Sequence, residues 1–181
     1  GVAMVTVHGR TREQGYGGQA EHATVAAVKR ALQIPVVANG DIDSPEAARR
    51  VLAATGVDAL MIGRAAQGRP WIFGDIAHYL AHGRHRPPPR TLEARDVFVE
   101  HLADHYRLYG ELAGTRSARK HIGWALKGLP GGEAFRAEMN ALDTSAEQVE
   151  RLSAWFERLA GTHERLPLAY PEQEDPLPLA A

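Results

Sequence analysis

The sequence lacks cysteine among its 181 residues. Disulfide bonds, thiolate metal ligands and cysteine-based catalysis are therefore excluded within this chain. An excess of one charge is also lacking, because 21 lysine and arginine residues stand against 22 aspartate and glutamate residues, a formal net charge of −1. Without an overall basic field, binding to nucleic acid would require a local basic patch.

Long apolar runs are missing too. No stretch has the roughly 20 apolar residues of a membrane-spanning helix, and no signal-peptide pattern opens the sequence. With 44% hydrophobic and 24% charged residues the composition is that of an ordinary globular protein, so we expect a cytoplasmic protein that binds no membrane. Because residues 2–7 already form a strand-like apolar run, we also expect the chain to be a fragment of a longer protein.

The most informative stretch contains two short apolar runs, residues 34–38 and 59–62. Both have the composition of strands that are buried on both faces. Between them, Ser44 suits a helix N-cap, Pro45 suits the first helical position and Gly56 suits the end of the helix. The order strand–helix–strand predicts two parallel strands joined by a right-handed crossover.

The same pattern extends in both directions along the chain. A strand is predicted at residues 2–7, a helix at 21–32, and a further helix at 71–82 after the last strand. Three parallel strands alternating with helices predict an α/β fold over residues 1–84, namely the C-terminal part of a (β/α)8 TIM barrel.

The character of the sequence changes after a proline-rich linker, HRPPPR, at residues 85–90. Residues 91–161 contain no strand pattern and predict an all-α domain, a four-helix bundle with short connections. Its predicted helices are 91–109, 115–127, 133–142 and 144–159. The proline-rich residues 162–181 are predicted to form a disordered tail.

Two turns with glycine follow the last two predicted strands: Asn39-Gly40-Asp41 and Gly63-Arg64. Ligands of parallel α/β proteins bind at the C-terminal ends of the strands. The second turn leads into a short helical turn at residues 65–67, whose N–H groups would attract a phosphate, and Arg64 would add a charged fork. The alternative is that the glycines only permit tight turns, but two such turns in register favour a phosphate site.

Four stretches stand out in this order: VTVHGRTREQGYGGQA, IPVVANGDI, VDALMIGRAAQGRPWIF and, in the helical region, RSARKHIGW. Together they resemble the C-terminal portion of the tRNA-dihydrouridine synthases, and the bacterial B-type subfamily in particular. The resemblance covers about residues 2–160. Other flavin-binding barrels share the phosphate turns but not the HGRTR and RKH motifs.

The resemblance implies an FMN-binding barrel followed by a helical tRNA-binding domain. It also implies an oxidoreductase that reduces specific uridines in tRNA to 5,6-dihydrouridine, with NADPH as the reductant of FMN. At the matching positions it implies FMN contacts from His8 at the flavin edge and from Asn39, Gly40, Asp41, Gly63 and Arg64. The family's proton-donating cysteine would lie upstream, so no catalytic residue is assigned, no protein partner is predicted, and the fragment alone is expected to be inactive.

Residues 112–132 carry basic side chains and no acidic one. Four basic residues share one helical face: Arg116, Arg119, Lys120 and Lys127. The opposite face is predicted to be core and contains Ala118, Ile122, Leu126 and Leu129. A basic stripe in a nearly neutral chain predicts contact with tRNA phosphates, although a solvated helix face is the alternative. Arg10 and Arg12, on the loop after the first strand, either contact tRNA phosphate or order the loop.

Two histidine pairs have the i, i+4 spacing of metal ligands: His78 with His82, and His101 with His105. Neither pair belongs to an HExxH motif and no further ligand is evident, so we expect surface histidines and no metal site. The three tryptophans are expected in the core: Trp71, Trp124 and Trp155.

Two other functions remain open at this point. One is another FMN-dependent TIM-barrel oxidoreductase, which the helical region with its basic stripe argues against. The other is a non-catalytic tRNA- or RNA-binding module, which the lack of cysteine fits.

Overall fold

The computed structural model of the chain describes residues 1–167. These residues divide into two units, one from Gly1 to Arg86 and one that begins at Pro87. The first unit contains three strands, β1 (Val5–His8), β2 (Val36–Asn39) and β3 (Ala59–Met61). Its helices are α1 (Ala23–Ala31), α2 (Pro45–Thr55) and α3 (Ile72–His82), and a 3₁₀ turn, Arg64–Ala66, follows β3.

The three strands form one parallel sheet in the order β1-β2-β3. Val5 pairs with Val36, and Val37 pairs with Ala59. The predicted strand–helix–strand unit is confirmed, because α2 connects the parallel strands β2 and β3. Alternating strands and helices of this kind are the repeating unit of a (β/α)8 barrel.

The ends of α2 form as their residue types predict. The Ser44 side chain accepts a hydrogen bond from the Ala47 N–H at 3.2 Å, which satisfies one of the free donors of the first turn. Gly56 ends the helix in the left-handed region at φ 67° and ψ 19°. A side chain with a Cβ is strained there, so glycine suits this position.

The core of the first unit lies against β2, whose residues Val36 and Ala38 are fully buried. Val25 of α1 and Ile72 of α3 pack in the same apolar cluster. The prediction that both runs are buried on both faces is right for β2 but wrong for β3, because Met61 is 46% exposed. β3 lies at the edge of this three-stranded sheet, where a neighbour is present on one side only.

The second unit contains α4 (Thr91–Leu126), α5 (Gly132–Met139) and α6 (Ser145–Ala160). Gly110 interrupts α4 with φ 74° and ψ 175°, so the helix break predicted there is confirmed. The second half of α4 begins directly after this glycine and not at Thr115. The two halves fold back on each other, since His105 on the first half contacts Ser117 on the second.

Aromatic packing joins α4 to α6. Phe156 and Leu152 on α6 are fully buried, and the Phe156 ring stacks on Phe98 of α4 with 5.8 Å between the ring centroids. Trp155 is also buried, as predicted, and stacks on Phe135 of α5. The unit therefore consists of one interrupted helix and two shorter helices, and a four-helix bundle is not confirmed.

The predicted disorder from residue 162 is wrong for residues 162–167. Leu166 is buried, and its N–H donates to the Pro89 carbonyl at 3.0 Å. The Thr91 N–H and hydroxyl donate to the carbonyls of Glu164 and His163 at 2.9 and 2.6 Å. Residues that are distant in sequence thus provide hydrogen-bond acceptors for the first residue of α4. The remainder of the predicted tail, 168–181, lies outside the described residues.

Candidate functional site at the carboxyl edge of the sheet

The strand register brings the predicted site residues together at one edge of the sheet. His8 is aligned with Asn39, and Asn39 with Met61. The Gly9 N–H donates to the Asn39 carbonyl at 2.9 Å, and the Asn39 side-chain amide donates to the Met61 carbonyl at 2.7 Å. Asn39 therefore braces the ends of β2 and β3. Gly40 and Gly63 follow directly, at the position where a parallel sheet binds ligands.

The two glycines differ in their surroundings. Gly40 is buried at φ 127°, and a Cβ added there would stand 2.7 Å from the Cβ of Ala20. No side chain fits this position without movement of the neighbouring loop. A Cβ added at Gly63 would meet no atom within 4 Å, so the space in front of this turn is open.

Arg10 holds the loop that follows β1. Its guanidinium donates to the carbonyls of Gly17 and Gly18 at 3.1 and 2.8 Å and to Asp41 Oδ2 at 2.5 Å. The Arg10 side chain is only 3% exposed. A side chain buried to this extent is poorly placed to contact a tRNA phosphate, so these contacts favour the loop-ordering alternative for Arg10. Arg12, on the same loop, is exposed.

Asp41 is the acceptor on which this loop depends. Its Oδ2 also accepts from the Ala20 N–H at 2.7 Å. The Arg10 guanidinium and this N–H lower the pKa of the Asp41 carboxyl below its ordinary value, so the group is ionised at neutral pH. Through these contacts Asp41 anchors the loop and lies beside Arg64.

Arg64 lies between Asp41 and the ring of Tyr16, a residue for which the sequence predicted no role. Its Nη2 is 3.5 Å from Asp41 Oδ1, and its guanidinium carbon lies 4.6 Å from the centroid of the Tyr16 ring. The Arg64 side chain is 56% exposed. Tyr16 and Asp41 thus orient a cation that remains accessible to a ligand. Tyr16 could have been noticed in the sequence because it is the one aromatic residue in the glycine-rich stretch QGYGGQ, residues 14–19.

A family model described as dihydrouridine synthase (Dus) matches residues 1–160. The chain belongs to the dihydrouridine synthase family. The three parallel strands are consistent with the TIM-barrel fold of this family. The resemblance expected from the sequence motifs is therefore confirmed.

Curated relatives named tRNA-dihydrouridine synthase B match over most of this chain. The chain is 57% identical over 156 residues to the protein of Pseudomonas aeruginosa, covering 86% of this chain and 47% of that relative. It is 54% identical over 159 residues to the protein of Xanthomonas campestris, covering 88% and 48%, and 48% identical over 160 residues to that of Vibrio cholerae, covering 88% and 50%. The chain spans about half the length of these relatives.

The helical unit contains the predicted basic stripe. The predicted core face is confirmed, because these residues are at most 7% exposed: Ala118, Ile122, Leu126 and Leu129. Arg116, Lys120 and Lys127 are exposed. Arg119 is directed elsewhere, since its Nη2 lies 3.1 Å from the Leu142 carbonyl and 3.3 Å from Asp143 Oδ1.

His105 and two tryptophans depart from their predicted positions. His105 is 8% exposed, so its assignment as a surface histidine is wrong, whereas His101 and His82 are exposed. Trp71 and Trp124 are half-buried and not fully in the core. Within residues 1–167, no group of three or more histidine, aspartate or glutamate side chains has the arrangement of a metal site. None of the helices described there has the length and apolar character to cross a membrane.

Proposed function

We propose that the chain is part of an enzyme that reduces specific uridines in tRNA to 5,6-dihydrouridine, with FMN as cofactor and NADPH as reductant. The observation that carries the proposal is the family match over residues 1–160. The relatives at 48–57% identity are named tRNA-dihydrouridine synthase B. The carboxyl edge of the sheet provides the expected position for the cofactor.

The residues at this edge fit the phosphate end of FMN. The open space in front of Gly63 leaves its backbone accessible, and the short turn that follows begins with N–H groups that have no acceptor within the turn. The exposed Arg64 guanidinium supplies positive charge beside it. The close approach of Gly40 to Ala20 leaves no room for a side chain between the two loops.

Each of these residues has a distinct role in this proposal. Gly63 and Arg64 hold the phosphate, Asn39 braces the strand ends beside Gly40, and Asp41 orients Arg64. His8, exposed at the end of β1, donates to the edge of the flavin ring. When bound, FMN supplies the two-electron reduction of the uracil 5,6 double bond.

The helical unit would hold the substrate through its exposed cations. Arg116, Lys120 and Lys127 present positive charge on one side of the second half of α4 and just beyond it. Each phosphate contact releases a counterion, which makes tRNA binding salt-dependent. Arg119 contributes less in this proposal because Asp143 competes for its guanidinium. Arg12 on the exposed loop is a further candidate for contact with tRNA.

The test is complementation. The full-length gene that contains this chain is expressed in a bacterial strain whose own dihydrouridine synthase genes are deleted, and dihydrouridine is measured in total tRNA by mass spectrometry. We expect dihydrouridine to reappear, and we expect Arg64→Ala to reduce it. Loss of one charged hydrogen bond costs about 1.5–3 kcal/mol of cofactor affinity. Arg30→Ala, on the exposed last turn of α1, is the matched control.

Retained flavin is a second readout. The purified full-length protein is dialysed, denatured, and assayed for released FMN by fluorescence. Soluble protein with neither FMN nor dihydrouridine would refute the proposal. Protein that binds tRNA but restores no dihydrouridine would instead favour the RNA-binding module, which the lack of cysteine also fits.

A further inference from the structure

A groove lies inside the helical unit where α4 folds back at Gly110. Residues of both helical halves line it, among them His101, His105, Tyr109, Ser117, Lys120 and His121. The groove is therefore formed entirely by α4. Neither the flavin-site residues nor the predicted phosphate contacts account for it, apart from Lys120 at its side.

Aromatic rings make up much of the groove wall. The His105 ring lies 4.7 Å from Tyr109 and 4.9 Å from His121, measured between ring centroids, and His121 lies 5.0 Å from His101. Tyr109 is 56% exposed, so the ring at the end of this series has a surface open to solvent. An exposed ring next to the buried His105 ring provides a platform on which another flat ring can stack.

Hydrogen bonds hold the histidines in place. The closest nitrogens of His101 and His121 are 3.2 Å apart, and His105 Nε2 is 2.7 Å from Ser117 Oγ. Burial lowers the pKa of His105 below its ordinary value and that of His121 to about 4, so both imidazoles are neutral at pH 7. Neutral rings bonded to their neighbours form a fixed surface with little charge.

The rim of the groove, in contrast to its neutral wall, carries charged side chains. Lys120 lines the groove directly, with its ammonium 5.9 Å from the centroid of the Trp124 ring, and the exposed Arg116 lies one turn before it. Asp104 also lines the groove, but its carboxylate is bonded to Arg107. A ring platform beside free cations matches a base attached to a phosphate.

We propose that this groove takes a nucleobase swung out of the RNA stack, with its ring against Tyr109 and its adjoining phosphate on Lys120. The inference rests on the proposed function, because the RNA concerned is the tRNA substrate. It adds a second kind of contact to the helical unit. The basic stripe would hold backbone phosphates at any sequence, whereas the groove would hold a base that has left its helix.

The experiment compares binding of an unmodified tRNA transcript to the wild-type chain and to Tyr109→Ala, Tyr109→Phe and Lys120→Ala at several salt concentrations. Removal of one stacking ring weakens binding by roughly 5- to 150-fold. We expect this loss for Tyr109→Ala with an unchanged salt slope, because no phosphate contact is removed. Tyr109→Phe should bind as the wild type, and Lys120→Ala should reduce the log–log slope by about 0.7–0.9.

Two controls separate stacking from misfolding. Leu92→Ala removes an apolar side chain of similar exposure from the first turn of α4 and should leave tRNA affinity unchanged. Circular dichroism melts should give the same midpoint for Tyr109→Ala and wild type. A transcript containing 4-thiouridine is also irradiated on the wild-type chain, and we expect cross-linked peptides from residues 101–124.

The outcomes distinguish the two proposals. Equal affinity for wild type and Tyr109→Ala, with Lys120→Ala still reducing the slope, would overturn the base-binding groove and leave the tRNA substrate intact. That result, together with cross-links outside residues 101–124, would assign the groove to a protein partner or to structure alone. A wild-type chain that binds no tRNA at any salt concentration would overturn the groove and the proposed function together.

Discussion

Arg10→Ala should release the loop between Arg10 and Ala20 without unfolding the first unit. The wild-type guanidinium donates to the Gly17 and Gly18 carbonyls and pairs with Asp41. A hydrogen bond to a charged group contributes about 1.5–3 kcal/mol. The two carbonyls can bind water once the loop opens, and Asp41 is one-third exposed. We therefore take a total well below the sum for three such bonds, about 2–3 kcal/mol. That loss raises the open population of the loop by roughly 30- to 150-fold.

Trypsin measures this opening, because the exposed Arg12 lies within the loop. When loop opening is fast compared with cleavage, the cleavage rate follows the population of the open form. We therefore expect the peptide ending at Arg12 to appear about 30 times faster or more in Arg10→Ala, as measured by mass spectrometry. Arg10→Lys retains the charge but not the planar fork, so it should be intermediate.

A second measurement follows the carboxylate itself. Because the Arg10 guanidinium is the largest cause of the lowered pKa of Asp41, that pKa should rise toward its ordinary value in Arg10→Ala, as followed by NMR titration. Arg30→Ala is the control for an exposed arginine of the same unit. Wild-type cleavage at Arg12 combined with weaker tRNA binding would refute the reasoning, since Arg10 would then act on RNA and not on the loop.

Three further predictions concern other parts of the chain. In Gly40→Ala the new Cβ would lie 2.7 Å from the Cβ of Ala20, and the backbone at φ 127° would be strained. We expect this change to destabilise the first unit by roughly 1–3 kcal/mol in urea melts and to reduce flavin retention. Burial, and to a smaller extent the charge of His101, lower the pKa of His121 from 6.5 to about 4. Between these pH values the unfolded chain binds more protons than the folded chain, so the free energy of unfolding should fall as the pH decreases from 6.5 to 4. His121→Asn should flatten this dependence in pH-dependent melts. Phe156→Ala, at a fully buried side chain, should cost about 3–5 kcal/mol in thermal melts, and an unchanged midpoint would contradict the packing of α6 on α4.

Local signals were sufficient for the elements of secondary structure. Ser44 and Gly56 determine the ends of α2 through local interactions: an N-cap hydrogen bond three residues away and a left-handed backbone conformation. The break at Gly110 is likewise a property of one residue's backbone. The parallel strand pairing followed because a helix between two strands leaves few other arrangements. Buried residues of the second half of α4 were predicted from helical periodicity for the same reason.

Side-chain pairing across long separations was not accessible in this way. Arg10 and Asp41 are 31 positions apart, and Arg119 and Asp143 are 24 apart. Periodicity placed Arg119 in the basic stripe correctly, but it carries no information about which loop approaches that side. The exposure of β3 was missed for a related reason, because composition describes a strand and not the number of its neighbours.

Residue types, spacing and motifs along the chain were enough to predict the family, the order of strands and helices, the helix ends and the apolar faces. Three features became visible only in the folded chain: the burial of Arg10 under its loop, the position of Arg64 over the Tyr16 ring, and the meeting of three histidines in the α4 groove. These features depend on how segments that are distant in sequence approach each other in the fold. Burial and hydrogen-bond partners then decide whether a charged or aromatic residue can bind a ligand or instead stabilises a loop.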